Sequence, residues 1–410
     1  LAKGDYIVSL DIGTSKVRAI IGEQTGNTIN VIGVGSAPGE GIRHGSIVDI
    51  DLTVESIREA VDHAERMVGV HITSAYVGVF GNHIQLQTSH GVVAVSSPDR
   101  EIGEEDIERV LAQSRVVALP PEREIIDVVA KEFIVDGLGG IADPRGMLGV
   151  RLEAEAYLIT GSRTAIHNVV RCVEKAGIEV ANLVLLPMAA GHVALSADER
   201  NLGVALVDMG AGATSVSIFD NGGLAATSII PMGGDYVTHD IAIGLRTHTT
   251  AAEQAKIQYG RATESAIGGG DGEWFKVPRI GSNQETEYNQ YDLMTIIEPR
   301  LQEIFSLVRK EVEKMGYGRD LTSGYVLHGG VAAIPGIAEL ASEELDAPVR
   351  VAVPEFLGVR DPSFINGVGI IAYALRTSAR STVVEPATHV RTARSGGLFA
   401  RVRDWFRDFV

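Results

Sequence analysis

Four short apolar runs, residues 6–10, 17–21, 204–207 and 216–219, are rich in Val, Ile, Leu and Ala. Each is too short for a helix and reads as a strand. The first two are joined by Asp11-Ile12-Gly13-Thr14-Ser15-Lys16, the last two by Asp208-Met209-Gly210-Ala211-Gly212-Ala213-Thr214-Ser215. Both junctions therefore predict tight hairpins. Residues 53–68 change period: Val54, Ile57, Ala60, Val61, Ala64 and Met67 fall on one helical face. Further along, the pattern predicts a strand at 72–80, a helix at 163–176, a strand at 178–186 and a helix from Pro187. The second half repeats the alternation, with helices at 235–244, 250–260 and 292–315. A strand at 324–327, a turn at His328-Gly329-Gly330, a helix from Pro335 and a last α/β piece at 349–376 follow. Residues 84–156 read as an inserted module, with short strands at 92–95, 125–129 and 133–135 around a helix at 104–114.

The two hairpins carry the candidate chemistry. Each has a carboxylate at its entrance and glycine with hydroxyls at its tip. Glycine lets a backbone approach closely and take positive φ. Exposed backbone N–H groups and hydroxyls suit phosphate oxygens, and an adjacent Asp can hold Mg²⁺ through water. A single Asp-x-Gly hairpin is an ordinary turn. Two of them at matching places in two α/β halves point to a nucleotide held between the halves. Other phosphate loops are absent: the chain has no Gly-Lys dipeptide, hence no Walker A loop. Gly33-Val34-Gly35 leads into turn residues rather than a helix, which fails the dinucleotide-binding context.

Polar residues 377–396 read as a flexible linker. After it, Leu398, Phe399, Val402, Trp405, Phe406, Phe409 and Val410 form one helical stripe, with Arg401, Arg403, Asp404, Arg407 and Asp408 opposite. From Ala387 onward five Arg face two Asp, a charge of +3, while the rest of the chain carries −20. A basic, aromatic helix on a tether to an acidic body fits a membrane interface. A helix docked on the body or on a partner is the plainer alternative. Burying about seven apolar side chains is worth on the order of 10 kcal/mol at most, and ordering the peptide offsets much of that. One tail binds weakly; an array of tails on a polymer binds tightly by avidity.

Composition narrows the class. The 410 residues allow two or more domains, and the net charge of −17 argues against nucleic acid as a partner. The single Cys172 excludes disulfides and Cys-based metal sites, in keeping with a reducing cytoplasm. No apolar run is long enough to span a membrane. No Gly-x-Ser-x-Gly elbow occurs, and His63, His71, His83 and His90 lack metal-ligand spacing.

The hairpins, the segment Ala252-Glu253-Gln254-Ala255-Lys256-Ile257-Gln258-Tyr259-Gly260, the turn Leu327-His328-Gly329-Gly330-Val331 and Asn366-Gly367-Val368-Gly369 occur in the order seen in actin-like ATPases. Within that superfamily the chain resembles FtsA, the bacterial division family, through Asp11–Lys16, the segment 252–260, the inserted module and the tail. The resemblance covers essentially the whole chain. It implies a two-lobed, actin-like (ribonuclease H-like) α/β ATPase fold with an inserted small α+β subdomain and a C-terminal amphipathic helix. The implied division is a first lobe of 1–83, 157–198 and 357–378, with the insert at 84–156. The second lobe takes 199–236 and 301–356, a further subdomain 237–300, the linker 379–397 and the tail helix 398–410.

The resemblance implies ATP and Mg²⁺ as cofactors and assigns roles by position. Asp11 and Asp208 lie on the metal side. Gly13, Thr14, Ser15 and Lys16, with Gly210, Gly212, Ala213 and Thr214, wrap the phosphates. Glu253 and Lys256 reach ribose and adenine, and Gly329 and Gly330 admit the base or α-phosphate. From spacing alone, Glu253 and Lys256 are an ordinary surface pair. Many relatives in the superfamily place a Gln or Glu near Leu186-Pro187-Met188 to orient the attacking water. Leu186 cannot do so, so binding is expected with weak hydrolysis at best. His328 stands where a small residue or Thr is common; it is expected either to brush the base or to fill space, the second being favoured.

The resemblance also implies partners: further copies in an actin-like filament, and the inner face of the cytoplasmic membrane at the division site through Leu398, Phe399, Val402, Trp405, Phe406 and Phe409. The C-terminal tail of FtsZ is expected at the 235–300 region through Arg300, at the start of the long helix, and later division proteins at the insert. Two rivals share the hairpins. A small-molecule kinase would need a general base and no tail; an FtsA-like pilus-assembly adaptor would not be expected to end in this helix.

Overall fold

The computed structural model describes residues 6–25, 28–270, 272–281, 284–318, 321–356 and 358–378. The expected linker and tail helix, 379–410, lie outside the described residues, and so do all six expected membrane-facing positions.

Two five-stranded sheets share one plan. In the first, the meander Tyr6–Ile12, Lys16–Thr25 and Thr28–Pro38 is antiparallel, and Ser74–Val79 and Glu179–Leu185 add in parallel beside its first strand. In the second, Val204–Met209, Thr214–Asp220 and Gly223–Ile230 form the meander. Tyr325–His328 and Val349–Val351 add in parallel at the same place. The repeat places the two hairpin tips at equivalent points of the two lobes.

Helix Ile50–Val68 covers the first sheet. Asp49 caps its start by accepting from the N–H groups of Asp51 and Leu52, and Gly69 ends it in the left-handed region. Val54, Ile57, Ala60, Val61 and Ala64 are buried as the period predicts, but Met67 is exposed. Met67 stands at the edge of the stripe, where its sulfur accepts from the Val34 N–H of the outermost strand. The helix approaches that strand so closely that a Cβ on Gly35 would lie 1.8 Å from the Ala60 carbonyl oxygen. This is the role of Gly33-Val34-Gly35: helix packing, not phosphate binding.

The insert is one four-stranded antiparallel sheet with helix Glu104–Ser114 on one face. Its strands are longer than expected: Gln85–Ala94, Arg123–Val135 and Arg151–Ser162 are continuous. The predicted pieces 125–129 and 133–135 are one strand, interrupted in the polarity pattern by a bulge opposite Glu155/Ala156. Residues 157–162, expected in the first lobe, pair within the insert's sheet.

The long helix of the second lobe runs Gln290–Lys314, opened by a capping box between Asn289 and Asp292. Leu293, Ile297, Leu301, Ile304, Phe305, Val308 and Val312 bury one stripe, each worth roughly 1.5–3 kcal/mol. Pro299 is tolerated inside because it lies on the solvent side, where water replaces the lost backbone bond. Arg300 therefore sits well within this helix rather than at its start.

Candidate functional site

The first hairpin closes with the Gly13 N–H donating to the Lys16 carbonyl at 3.1 Å, the second with Gly210 N–H to Ala213 carbonyl at 3.0 Å. Neither Gly13, Gly210 nor Gly212 takes positive φ. The expectation of left-handed glycines at the tips is thus corrected: these positions need small size. A Cβ on Gly212 would lie 2.9 Å from the Thr14 side chain of the facing hairpin. The tips meet across the lobes, and His44 Nδ1 bonds the Gly212 carbonyl oxygen at 2.7 Å while the Gly45 N–H donates to Thr14 Oγ1 at 3.2 Å.

Around the tips lies a cleft of about 590 Å³. It is bordered by Asp11, Gly13, Thr14, Ser15 and Lys16 from one lobe and by Asp208, Gly210, Gly212 and Ala213 from the other. Glu253, Lys256, Gly329 and Gly330 border it too. Thr214 does not: it is fully buried, with its hydroxyl donating to the Met232 carbonyl at 2.8 Å. Ser215 lines the cleft instead. In the ladders Asp11 is opposite Arg18, and Asp208 is opposite Ser215. Residues directly opposite share a sheet face, so Arg18 and Ser215 accompany the two carboxylates. The equal spacing of seven residues was the signal for both; reading the tip alone missed them.

Asp11 is buried, and its carboxyl is pushed up to about 6, first by burial. The Arg18 charge opposes that rise and the Asp208 charge adds to it. Two carboxylates of hard oxygen donors, under-compensated by cations, fit a Mg²⁺ that keeps water and phosphate ligands. Among the described residues no three His, Cys, Asp or Glu side chains gather as an all-protein metal cage. His328, beside Asp208 in the parallel ladder, is buried, and burial lowers its pKa, so it stays neutral. Its Nδ1 stands 3.8 Å from Asp208 Oδ1. Gly329 holds φ of +91°, and a Cβ there would stand 2.5 Å from Asp208 Oδ1; only glycine fits.

Glu253 and Lys256 are not a surface pair. Lys256 is buried, with Nζ 2.6 Å from Glu253, 2.7 Å from Thr238 Oγ1 and 3.2 Å from the Gly234 carbonyl. Helix Thr249–Tyr259 carries both residues against helix Gly234–Leu245, and Thr238 also donates to Glu253. The wall is therefore pre-organised, with one charge compensating the other. Leu186 lines the cleft as an apolar side chain. Arg300 lies away from it, held by Asp240 through Nε at 2.6 Å and Nη2 at 3.1 Å, with Glu303 as a second partner.

The sequence model of the family described as "Cell division protein FtsA" matches residues 205–369, and that described as "SHS2 domain inserted in FTSA" matches 81–160. The "Cell division protein FtsA" of Bacillus subtilis is 52% identical over 374 residues, 91% of this chain and 84% of that protein. This chain belongs to the FtsA family. The FtsA of Pseudomonas aeruginosa is 39% identical over 410 residues, 98% of this chain and 97% of its own. The protein is thus an actin-like cell-division protein. Solved structures agree on the fold. A chain of the "PilM-PilN type IV pilus biogenesis complex" superimposes with a TM-score of 0.61 at 18% identity, covering 90% of this chain and 98% of that one. MreB 5 of Spiroplasma citri bound to AMPPNP gives 0.56 at 14%, covering 92% and 99%. No helix among the described residues is long and apolar enough to cross a membrane.

Proposed function

We propose that this FtsA-family protein binds ATP with Mg²⁺ in the cleft, assembles into actin-like filaments on the inner face of the cytoplasmic membrane, and ties the FtsZ ring to it. The observation that carries the nucleotide reading is the meeting of two matched hairpins, one per lobe, each with a carboxylate behind its tip. Gly13, Thr14, Ser15, Lys16, Gly210, Gly212 and Ala213 would surround the phosphates, joined by Arg18 and Ser215. Asp11 and Asp208 would hold Mg²⁺, mainly through water, and the metal would offset phosphate charge. Glu253 and Lys256 would meet the ribose and base. The AMPPNP bound to the Spiroplasma citri protein of this fold supports the same reading. Leu186 offers no group to orient an attacking water, so hydrolysis should be slow.

The membrane part rests on the apolar stripe Leu398, Phe399, Val402, Trp405, Phe406 and Phe409 and on the basic charge of the tail. For FtsZ, an acidic peptide tail would share Arg300 with Asp240 and Glu303, exchanging one carboxylate for another. Nucleotide would close the cleft and bias the chain toward the conformation that polymerises. Co-sedimentation with anionic liposomes tests the assembly. The full chain should pellet more with Mg-ATP than without, and a version ending at Arg394 should stay in solution. Equal pelleting of both versions, or of neither, would show that the tail is no anchor.

A further inference from the structure

Asp208 belongs to the second lobe, yet its Oδ2 accepts a hydrogen bond of 2.9 Å from Asn366 Nδ2. Asn366 stands in the first turn of helix Ile365–Ser378, which is seated on the first lobe. Two glycines set that seat. A Cβ on Gly367 would lie 2.5 Å from Ile20 Cδ1, and one on Gly369 would lie 2.5 Å from the Ala189 carbonyl oxygen. The helix is therefore pressed onto the first lobe with no room to slide, and its first turn delivers Asn366 across the base of the cleft. This accounts for Asn366-Gly367-Val368-Gly369 as a unit.

We infer that Asn366 is a positioning residue for the metal-side carboxylate, reaching from one lobe to aim the Asp208 of the other. The chemistry of the donor matters. Asp11 and Asp208 both border the cleft, so their like charges repel each other across it. Lys or Arg beside Asp208 would relieve that repulsion but would neutralise the charge a cation needs. A neutral amide fixes the carboxylate without discharging it. The N-terminal end of the helix adds a favourable dipole at the same spot. Asn366 Oδ1 and His328 Nδ1 are both buried without a protein partner and border one small chamber beside Asp208. The one hydrogen bond found for the amide among the described residues is the one Nδ2 donates to Asp208. Because the contact joins the lobes, closing the cleft and aligning Asp208 become one event.

The inference rests on the Mg-nucleotide reading above, and the test separates the two. A fluorescent ATP analogue is titrated onto the parent, Asn366→Ala and Asn366→Ser, once with Mg²⁺ and once with EDTA. Loss of one hydrogen bond to a charged group should weaken Mg²⁺-dependent binding about tenfold in Asn366→Ala, while binding in EDTA stays at the parent level. Apo thermal unfolding of each variant reports whether it folds. If Asn366→Ala does not fold, the milder Asn366→Ser carries the comparison. Unchanged Mg²⁺ dependence overturns the inference. Equal weakening with and without Mg²⁺ also overturns it, since that marks a merely structural residue. No binding by the parent in either condition overturns the nucleotide reading, and the inference with it.

Discussion

Asp11→Asn separates what the folded chain tolerates from what its ligand needs. In the folded protein the Asp11 carboxyl is raised from 3.8 to about 6, mainly because burial penalises its charged form. Holding that charge at neutral pH costs the folded state about 3 kcal/mol. The folded state grips this proton more tightly than the unfolded chain does. The Asp11 contribution to stability therefore falls as pH rises from about 4 to about 6 and levels off above, by proton linkage. Asn keeps the shape and has no such charge. Without nucleotide, the variant should match the parent near pH 4 and become more stable above it, by up to about 3 kcal/mol at pH 8. Urea unfolding of both proteins across that range reads the gap directly. The same variant should lose the Mg²⁺-dependent part of nucleotide binding, since one of two carboxylates is gone. A stability gap that does not change with pH, or a variant less stable than the parent throughout, would refute burial of a charge that Arg18 only partly compensates.

Two further substitutions probe other parts of the fold. Gly329→Ala puts a Cβ at positive φ and against Asp208; it should lower nucleotide affinity at least tenfold by displacing that carboxylate, and parent-like binding in a fluorescence titration would contradict the close approach. Arg350 holds the Glu199 carboxyl down at about 2, through Nε at 2.7 Å and Nη2 at 2.7 Å. A depressed carboxyl stabilises above its unfolded pKa and loses that stabilisation as pH falls toward 2. Glu199→Gln should therefore cost about 1 kcal/mol at pH 7, shrinking below pH 4.5 in denaturant titrations; a deficit constant with pH would exclude the ion pair as its cause.

The local pattern was enough to place most elements, because a strand's two-residue period and a helix's 3.6-residue period are written in consecutive residues. Both hairpins were legible for the same reason, since a carboxylate, glycine and hydroxyls lie within eight residues of chain. The segment Thr249–Tyr259 was recognisable as a helix, but its role was not. Glu253 and Lys256 at a three-residue spacing look like a solvated pair, and only the packing of a second helix turns Lys256 inward onto Thr238 and the Gly234 carbonyl. The edge of an apolar stripe is equally ambiguous: Met67 has the right period, yet it lies at the rim of the helix–sheet contact, exposed, with only its sulfur accepting from the Val34 N–H.

What the sequence by itself determined is therefore the local framework: where each strand, turn and helix falls, and that two like turns recur. What only the tertiary structure decided is which side chains share the cleft. Thr214 and Ser215 are adjacent and chemically alike, and the pleat alone sends one into the core and the other to the ligand side. Asn366 and Asp208 are 158 residues apart; no period links them, and their contact exists because two glycines seat one helix against the first lobe. Side-chain type sets what a residue can do, and long-range packing sets whom it meets.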